Sequence, residues 1–312
     1  MLVIKRIVKN WPSVLLFRFG FLRHITLEFR NSTTTVRIGS QEEYKKFWDS
    51  KEGQYTLARY YGYDNRIRIQ SKIVKLKFDD KIIKFSYADD DEQLRNIFGT
   101  IKENFIDEQY KNLDVKSKDV VDIGANIGDS AIYFALRGAK HVYAFEPYPY
   151  SYRFALKNIA LNSLKNRITI INKGVGKNKN KIKIDPNFHN TAGSRLNKFK
   201  RGKSIAIITL EDIVNNYLTF HDSAILKVDC EGCEYGVILS TLDNTLQKFN
   251  QIMIEYHQGY KNLEVKLRSA GFAVTHTEPI LFNDYDGKRI IGKIYAERLK
   301  HFKTLRNTKP FN

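Results

Sequence analysis

The stretch Asp119-Val-Val-Asp-Ile-Gly-Ala-Asn-Ile-Gly-Asp-Ser-Ala-Ile-Tyr-Phe134 constrains this chain more than any other: an apolar run of β type stops at a small-residue turn and resumes with helical spacing. Val120, Val121 and Ile123 read as a buried parallel strand, Gly124 and Gly128 allow backbone to approach a ligand, and Ala131, Ile132 and Ala135 pack the next helix onto a sheet. The N–H groups that open this helix lack intrahelical acceptors and face a bound small molecule.

A second apolar run, His141-Val-Tyr-Ala-Phe-Glu146, ends in an acid roughly 20 residues beyond the glycines, the spacing of a nucleoside-binding βαβ unit. A carboxylate at that strand tip accepts hydrogen bonds from both ribose hydroxyls, so Glu146 is the ribose candidate. The dinucleotide fingerprint Gly-x-Gly-x-x-Gly is not met, because Gly124-Ala-Asn-Ile-Gly128 carries Asn126 where the second glycine belongs. The turn therefore suits a ligand without phosphates. Cofactor contacts are expected at Asp122, Gly124, Ala125, Asn126, Gly128, Asp129, Ser130 and Glu146.

Four ordered motifs, Val121-Asp-Ile-Gly-Ala-Asn-Ile-Gly-Asp-Ser130, Phe145-Glu-Pro-Tyr-Pro149, Asn158-Ile-Ala-Leu-Asn162 and Leu226-Lys-Val-Asp-Cys-Glu-Gly-Cys-Glu234, resemble the FkbM family of S-adenosylmethionine-dependent methyltransferases. The resemblance covers about residues 95–280. It implies a class I methyltransferase fold of the α/β class, with a mostly parallel, seven-stranded, Rossmann-like sheet and helices on both faces. It also implies S-adenosylmethionine as cofactor and methyl transfer to a hydroxyl of a sugar, glycan, glycolipid or related small molecule.

The 312 residues, 42% hydrophobic, suffice for one full α/β core plus an appended module. We divide the chain into an N-terminal α+β extension (1–92), the methyltransferase domain (93–297) and a basic tail (298–312). In the extension, Thr34–Ile38 reads as a strand and Gln41–Tyr60 as a helix, followed by a hairpin of Ile73–Phe78 and Lys81–Tyr87 about Asp79-Asp80. The stripe Leu94, Ile97, Phe98, Ile101, Phe105 and Ile106 predicts a helix preceding the first strand and closing the cofactor pocket. Beyond Glu146, Tyr150–Leu161 reads as the second crossover helix, and Ile168–Ile171, Ala224–Asp229 and Gln251–His257 as the third, fourth and fifth strands. Gly271–His276 and Arg289–Ala296 close the sheet as an antiparallel pair.

The net charge of +18 is uneven: residues 1–30 carry +5, residues 173–203 carry +9 and residues 298–312 carry +5, which leaves the remainder near neutral. Such patches favour anionic partners, whether glycan phosphates, an anionic membrane surface met peripherally or, less well supported, nucleic acid. The basic insertion contains the polar loop best placed to meet the acceptor, with His189, Asn190, Ser194 and Arg195 as substrate ligands. No membrane span or leader is legible, and Cys230 and Cys233 can form neither a four-thiolate zinc site nor a disulfide-built domain, so a cytoplasmic location is expected. Their C-x-x-C spacing follows the fourth strand rather than the first, and it is assigned no redox role.

Methyl transfer from a sulfonium is an in-line displacement on an activated donor, so the protein must align the acceptor and manage its proton. Asp229 at the tip of the fourth strand, His257 at the tip of the fifth, Glu231 and Lys227 are the catalytic candidates. A divalent cation between Asp229 and His257, as some catechol-type methyltransferases hold at the same strand tips, would need further oxygen ligands, and no metal ligand is assigned. Two other readings stay open. An RNA methyltransferase would explain the basic segments but lacks the Asn/Asp-Pro-Pro-aromatic motif after the fourth strand, and a non-catalytic nucleoside- or glycan-binding scaffold would not need the intact turn with Glu146.

Overall fold

The computed structural model describes residues 8–29, 35–50, 53, 66–88, 97–186, 202–218, 223–284 and 287–299. The chain forms two compact units, Met1–Asp107 and Glu108–Asn312. The division lies after the 97–106 stretch, which the sequence reading grouped with the methyltransferase domain.

In the first unit, helix α1 (Trp11–Arg18), strands β1 (Ile25–Glu28) and β2 (Thr35–Ile38) and helix α2 (Gln41–Asp49) enclose a small core. Val14, Phe17, Leu27, Phe29, Ile38 and Phe47 fill it, so the aromatic stretch around Trp11 packs onto its own unit. Ser40 caps α2 by accepting a hydrogen bond from the Glu43 amide at 3.1 Å. The expected hairpin appears as β4 (Ile73–Phe78) and β5 (Lys81–Ser86), with β3 (Ile67–Gln70) added antiparallel to β4. The stripe before residue 107 is a helical turn followed by a π-helical segment, Lys102–Ile106, whose Phe105 meets Phe78 and Phe85.

The second unit is built on β6 (Asp119–Ile123), which is buried along its whole length, as the unbroken apolar pattern requires of a strand covered on both faces. Helix α3 (Asp129–Leu136), β7 (His141–Phe145), α4 (Pro149–Leu161) and β8 (Ile168–Ile171) extend the sheet in one direction. A small sheet of β9 (Gly174–Val175), β10 (Asn180–Ile184) and β11 (Lys203–Ile208) follows. Thr209 then starts α5 (Leu210–Tyr217) with a reciprocal capping box to Asp212.

The chain returns to the other side of β6 as β12 (Ala224–Val228), α6 (Cys233–Ser240), α7 (Asp243–Leu246), β13 (Phe249–Tyr256) and α8 (Lys261–Ser269), and ends in β14 (Phe272–His276), β15 (Ile280–Asp284) and β16 (Gly287–Arg298). The sheet order β14-β16-β13-β12-β6-β7-β8 is that of the expected seven-stranded class I fold. Strands from β13 to β8 run parallel, while β16 lies antiparallel between β13 and β14 and pairs with β15 along its first residues. The order reverses between β6 and β12, so the carboxyl ends of these two strands open the crevice in which α/β sheets bind ligands.

At that reversal Gly124 has φ +83°, and a Cβ there would lie 1.7 Å from the Asp229 carbonyl oxygen. Both the left-handed backbone and the close approach demand glycine. Gly124→Ala should therefore lower unfolding free energy by at least about 1–3 kcal/mol in denaturant titration. An unchanged midpoint would contradict this packing.

Candidate active site

Each turn of the crevice is fixed by a specific bond. The Gly124 and Ala125 amides donate to the Phe145 carbonyl at 3.0 and 3.1 Å, which ties the turn after β6 to the end of β7. Asn126 adopts φ +45°, a left-handed conformation that asparagine tolerates. Asn158 of α4, fully buried, donates to the Ile127 carbonyl at 3.0 Å. Beneath the turn, Asp122 accepts from the Ser130 hydroxyl at 2.6 Å and pairs with Lys227 Nζ at 3.0 Å. Lys227 also donates to the carbonyl oxygens of Gly124 at 2.9 Å and Ile123 at 3.3 Å.

Glu146 follows β7 and is 4% exposed. Its carboxylate accepts from the Asn126 amide through Oε2 and the Tyr148 amide through Oε1, both at 2.8 Å. Burial pushes its pKa up to about 8 despite those two donors and the charge of Lys227. Asn172 braces the same segment by donating to the carbonyls of Glu146 and Pro147.

A cleft of about 660 Å³, its open mouth included, is lined by Gly124, Asn126, Glu146, Lys173, Asp229 and Glu231, with Phe145, Tyr148 and both cysteines among the remaining wall residues. Two carboxylates at its floor sit in opposite environments. Burial raises the Asp229 carboxyl above its usual range, Lys227 and His257 pull it down in part, and Glu231 and Glu234 push it further up. Glu231 also feels burial, but the hydrogen bond and charge of His257 and the charge of Arg289 outweigh it and hold the carboxyl below its usual range. The Arg289 guanidinium lies 2.8 Å from Glu231 Oε2, and His257 Nε2 lies 3.2 Å from the same oxygen.

His257 is 4% exposed. Burial opposes its charge, yet hydrogen bonds to Glu231 and Glu234 push its pKa up to about 11. It is an imidazolium at neutral pH, a donor to Glu231 rather than a ready proton acceptor. Glu234, fully buried on α6, accepts from His257 Nδ1 and from the His257 amide, each at 3.1 Å, and from the Gly232 amide at 2.8 Å.

Of the residues named from sequence, Gly124, Asn126, Glu146, Asp229 and Glu231 line the cleft. Asp122, Ser130 and Lys227 form the buried bracket under it, while Ala125, Gly128 and Asp129 build the turn and helix start. His189, Asn190, Ser194 and Arg195 lie outside the described residues. Arg289 and Glu255 escaped the sequence reading. Glu255 stands two residues before His257, which directly follows β13, so the period-two rule extended by one residue puts both on one face, and that was the available signal. Cys230 and Cys233, given no role from sequence, are joined as a disulfide across the start of α6.

Residues 122–274 match the family model described as the Methyltransferase FkbM domain. Over this segment the chain is similar to FkbM methyltransferase domains. The chain is also 29% identical over 153 residues to the uncharacterized protein 158B of Sulfolobus islandicus rod-shaped virus 1, an alignment spanning 49% of this chain and 69% of the viral protein. Among solved structures, a SAM-dependent methyltransferase of Agrobacterium tumefaciens shares 10% identity at a TM-score of 0.41 over 74% of this chain and 72% of its own. TrmK of M. capricolum, solved with S-adenosyl-homocysteine, shares 20% at a TM-score of 0.38 over 62% and 69%. Both structural likenesses are distant. No helix among the described residues is long and apolar enough to cross a membrane.

The cofactor of this domain is S-adenosylmethionine, and the residues fit it: Gly124 offers no side chain at the turn, and the Glu146 carboxylate lines the cleft, where it can accept hydrogen bonds from hydroxyls. The raised Glu146 pKa sets a pH dependence, because ribose hydroxyls bind best to the ionised acceptor and below its pKa of about 8 the group holds its proton. Affinity for S-adenosylhomocysteine, titrated by calorimetry, should tighten by up to about tenfold per unit from about pH 6 to about pH 8 and then level off. Glu146→Gln should flatten the profile. Affinity that is flat or falls over this interval in the unaltered protein would contradict the assignment.

Proposed function

We propose that this methyltransferase transfers the methyl group of S-adenosylmethionine to a hydroxyl of a sugar, glycan, glycolipid or related small molecule. The observation that carries the reading is the geometry of the carboxylate pair at the cleft floor: Glu231 is held by Arg289 at 2.8 Å and His257 at 3.2 Å, whereas Asp229 stands 3.9 Å from Lys227, and the directions of their proton affinities, lowered and raised, follow that difference. Divergent environments of that kind divide acid–base labour between two like groups. The bound cofactor supplies a methyl already activated on a sulfonium. What the chain must add is a place for the acceptor oxygen and its proton.

Asp229, with 28% of its side chain exposed at the strand tip, takes the hydrogen bond of the acceptor hydroxyl and receives its proton. Glu231 stays ionised between His257 and Arg289 and fixes the acceptor or the cofactor by hydrogen bonding. Lys227 keeps the Asp122–Gly124 turn in place beneath them. The residues after β12, Asp229-Cys-Glu-Gly-Cys233, differ from the Asn/Asp-Pro-Pro-aromatic motif of base amino-methylation, which supports a hydroxyl acceptor.

A second reading, an RNA acceptor, draws on one observation. On β10 the exposed Lys181 and Lys183 stand opposite the small residues Ala206 and Ser204, leaving a basic strip on the small sheet. Incubation with methyl-labelled cofactor and separated glycan, lipid and RNA fractions distinguishes the two, and label confined to RNA would overturn the hydroxyl-sugar proposal. Once an acceptor is known, Asp229→Asn should lower turnover roughly 100-fold or more while S-adenosylhomocysteine affinity stays within about threefold. A loss of activity that only follows the folded fraction would assign Asp229 a structural role instead.

A further inference from the structure

Behind the cleft floor, the carboxyl ends of β12 and β13 bring Asp229, Glu255 and His257 together, with one ligand atom from each lying within 4.8 Å of the others. The orientation of the imidazole is built rather than incidental. Glu234 takes Nδ1 at 3.1 Å and is itself fixed by the amides of His257 and Gly232, so the ring presents Nε2 to the opposite side. There Nε2 meets Glu231 Oε2 at 3.2 Å and Glu255 Oε1 at 4.0 Å. A buried carboxylate on one ring nitrogen, with the other nitrogen aimed at a group of carboxylate oxygens, is the arrangement by which proteins orient histidine toward a metal ion.

We propose that Asp229, Glu255 and His257 bind a divalent cation, which takes the place of the Nε2 proton that the His257 imidazolium releases on binding, with Glu231 able to complete the site from its position against Nε2. The spacing suits a small ion: at metal–ligand distances near 2.1 Å, donors at right angles stand about 3.0 Å apart and opposed donors about 4.2 Å apart. Inward movements of about half an ångström would bring the three ligand atoms onto one centre. A set of carboxylates with one imidazole selects a hard to borderline ion, Mg²⁺ or Mn²⁺, over the soft ions that thiolates prefer. Both cysteines nearby are engaged in the disulfide and offer no thiolate.

The role of the ion rests on the hydroxyl-transfer reading above, although its binding does not. Held at the tips of β12 and β13, the cation would accept the acceptor oxygen as a further ligand and lower its proton affinity. The second oxygen of Asp229 remains for the proton. An acceptor carrying two adjacent hydroxyls, as sugars do, could chelate the ion.

The test uses the full chain with Mn²⁺ alone, without cofactor or acceptor, and follows loss of the free-ion electron paramagnetic resonance signal. The expected result is one tightly held Mn²⁺ per chain, displaced by Mg²⁺, and weakened roughly 10- to 100-fold by Glu255→Gln. Asp229→Asn is the second variant should Glu255→Gln fail to fold, and Glu264→Gln on the far helix α8 is the control that should leave binding unchanged. S-adenosylhomocysteine calorimetry on the same proteins reports the cofactor site separately, so a protein that binds the nucleoside but not Mn²⁺ overturns the metal site alone. Absence of Mn²⁺ binding at about 1 mM, the weak end of protein cation sites, or binding indifferent to both Glu255→Gln and Asp229→Asn, would overturn the proposal.

Discussion

The second unit depends on one buried cation. Lys227, 1% exposed in the middle of the sheet, sits 3.0 Å from Asp122 and donates to the carbonyls of Gly124 and Ile123. Removing an ammonium and a carboxylate from water costs several kcal/mol each, and only close pairing with additional hydrogen bonds offsets that cost. Here the compensation comes from two strands and one turn at once. The pair fixes the register of β6 against β12 at the point where the sheet order reverses, and Ser130 passes the constraint from Asp122 to the first turn of α3. The cleft can then be open above because it is tied down below.

Charge is graded outward from that bracket. Glu234, His257, Glu231 and Arg289 form a chain of alternating sign, and Glu231, the member that lines the cleft, carries φ +59°. A non-glycine residue in this conformation persists only where its surroundings over-determine it, and such positions gather at functional sites. Asp229, two residues earlier, has a weaker hold on Lys227 at 3.9 Å and keeps part of its surface in the cleft. Neighbouring carboxylates thus acquire different proton affinities from the distances of their nearest cations.

Sequence alone revealed those parts of the molecule whose physics is local. The strand-turn-helix around Gly124, the acid after β7, the helix at 149–161 and the sheet strands each announce themselves within a short window of periodicity or turn chemistry. What escaped was long-range or cancelled its own signal. Arg289 lies 58 residues from Glu231 in the chain, and no spacing rule connects them. Lys227 reads as a reactive group one pleat before Asp229, yet its Nζ is committed to backbone carbonyls that only the folded sheet supplies. The 97–106 stripe signals a helix correctly in kind, but period alone does not say to which compact unit a stripe belongs, nor that its end winds as a π-helix.

If the Lys227–Asp122 bracket holds the cofactor turn rather than merely filling the core, removing both charges together should separate the two roles. A buried pair replaced on both sides often leaves stability nearly unchanged, whereas removal of one partner leaves an uncompensated charge. The decisive measurement is calorimetric titration of S-adenosylhomocysteine into the double variant Asp122→Asn with Lys227→Met, alongside its unfolding midpoint. The account predicts a folded protein whose nucleoside affinity falls at least about tenfold, equivalent to about 1.4 kcal/mol. A folded double variant that binds with unaltered affinity would contradict it.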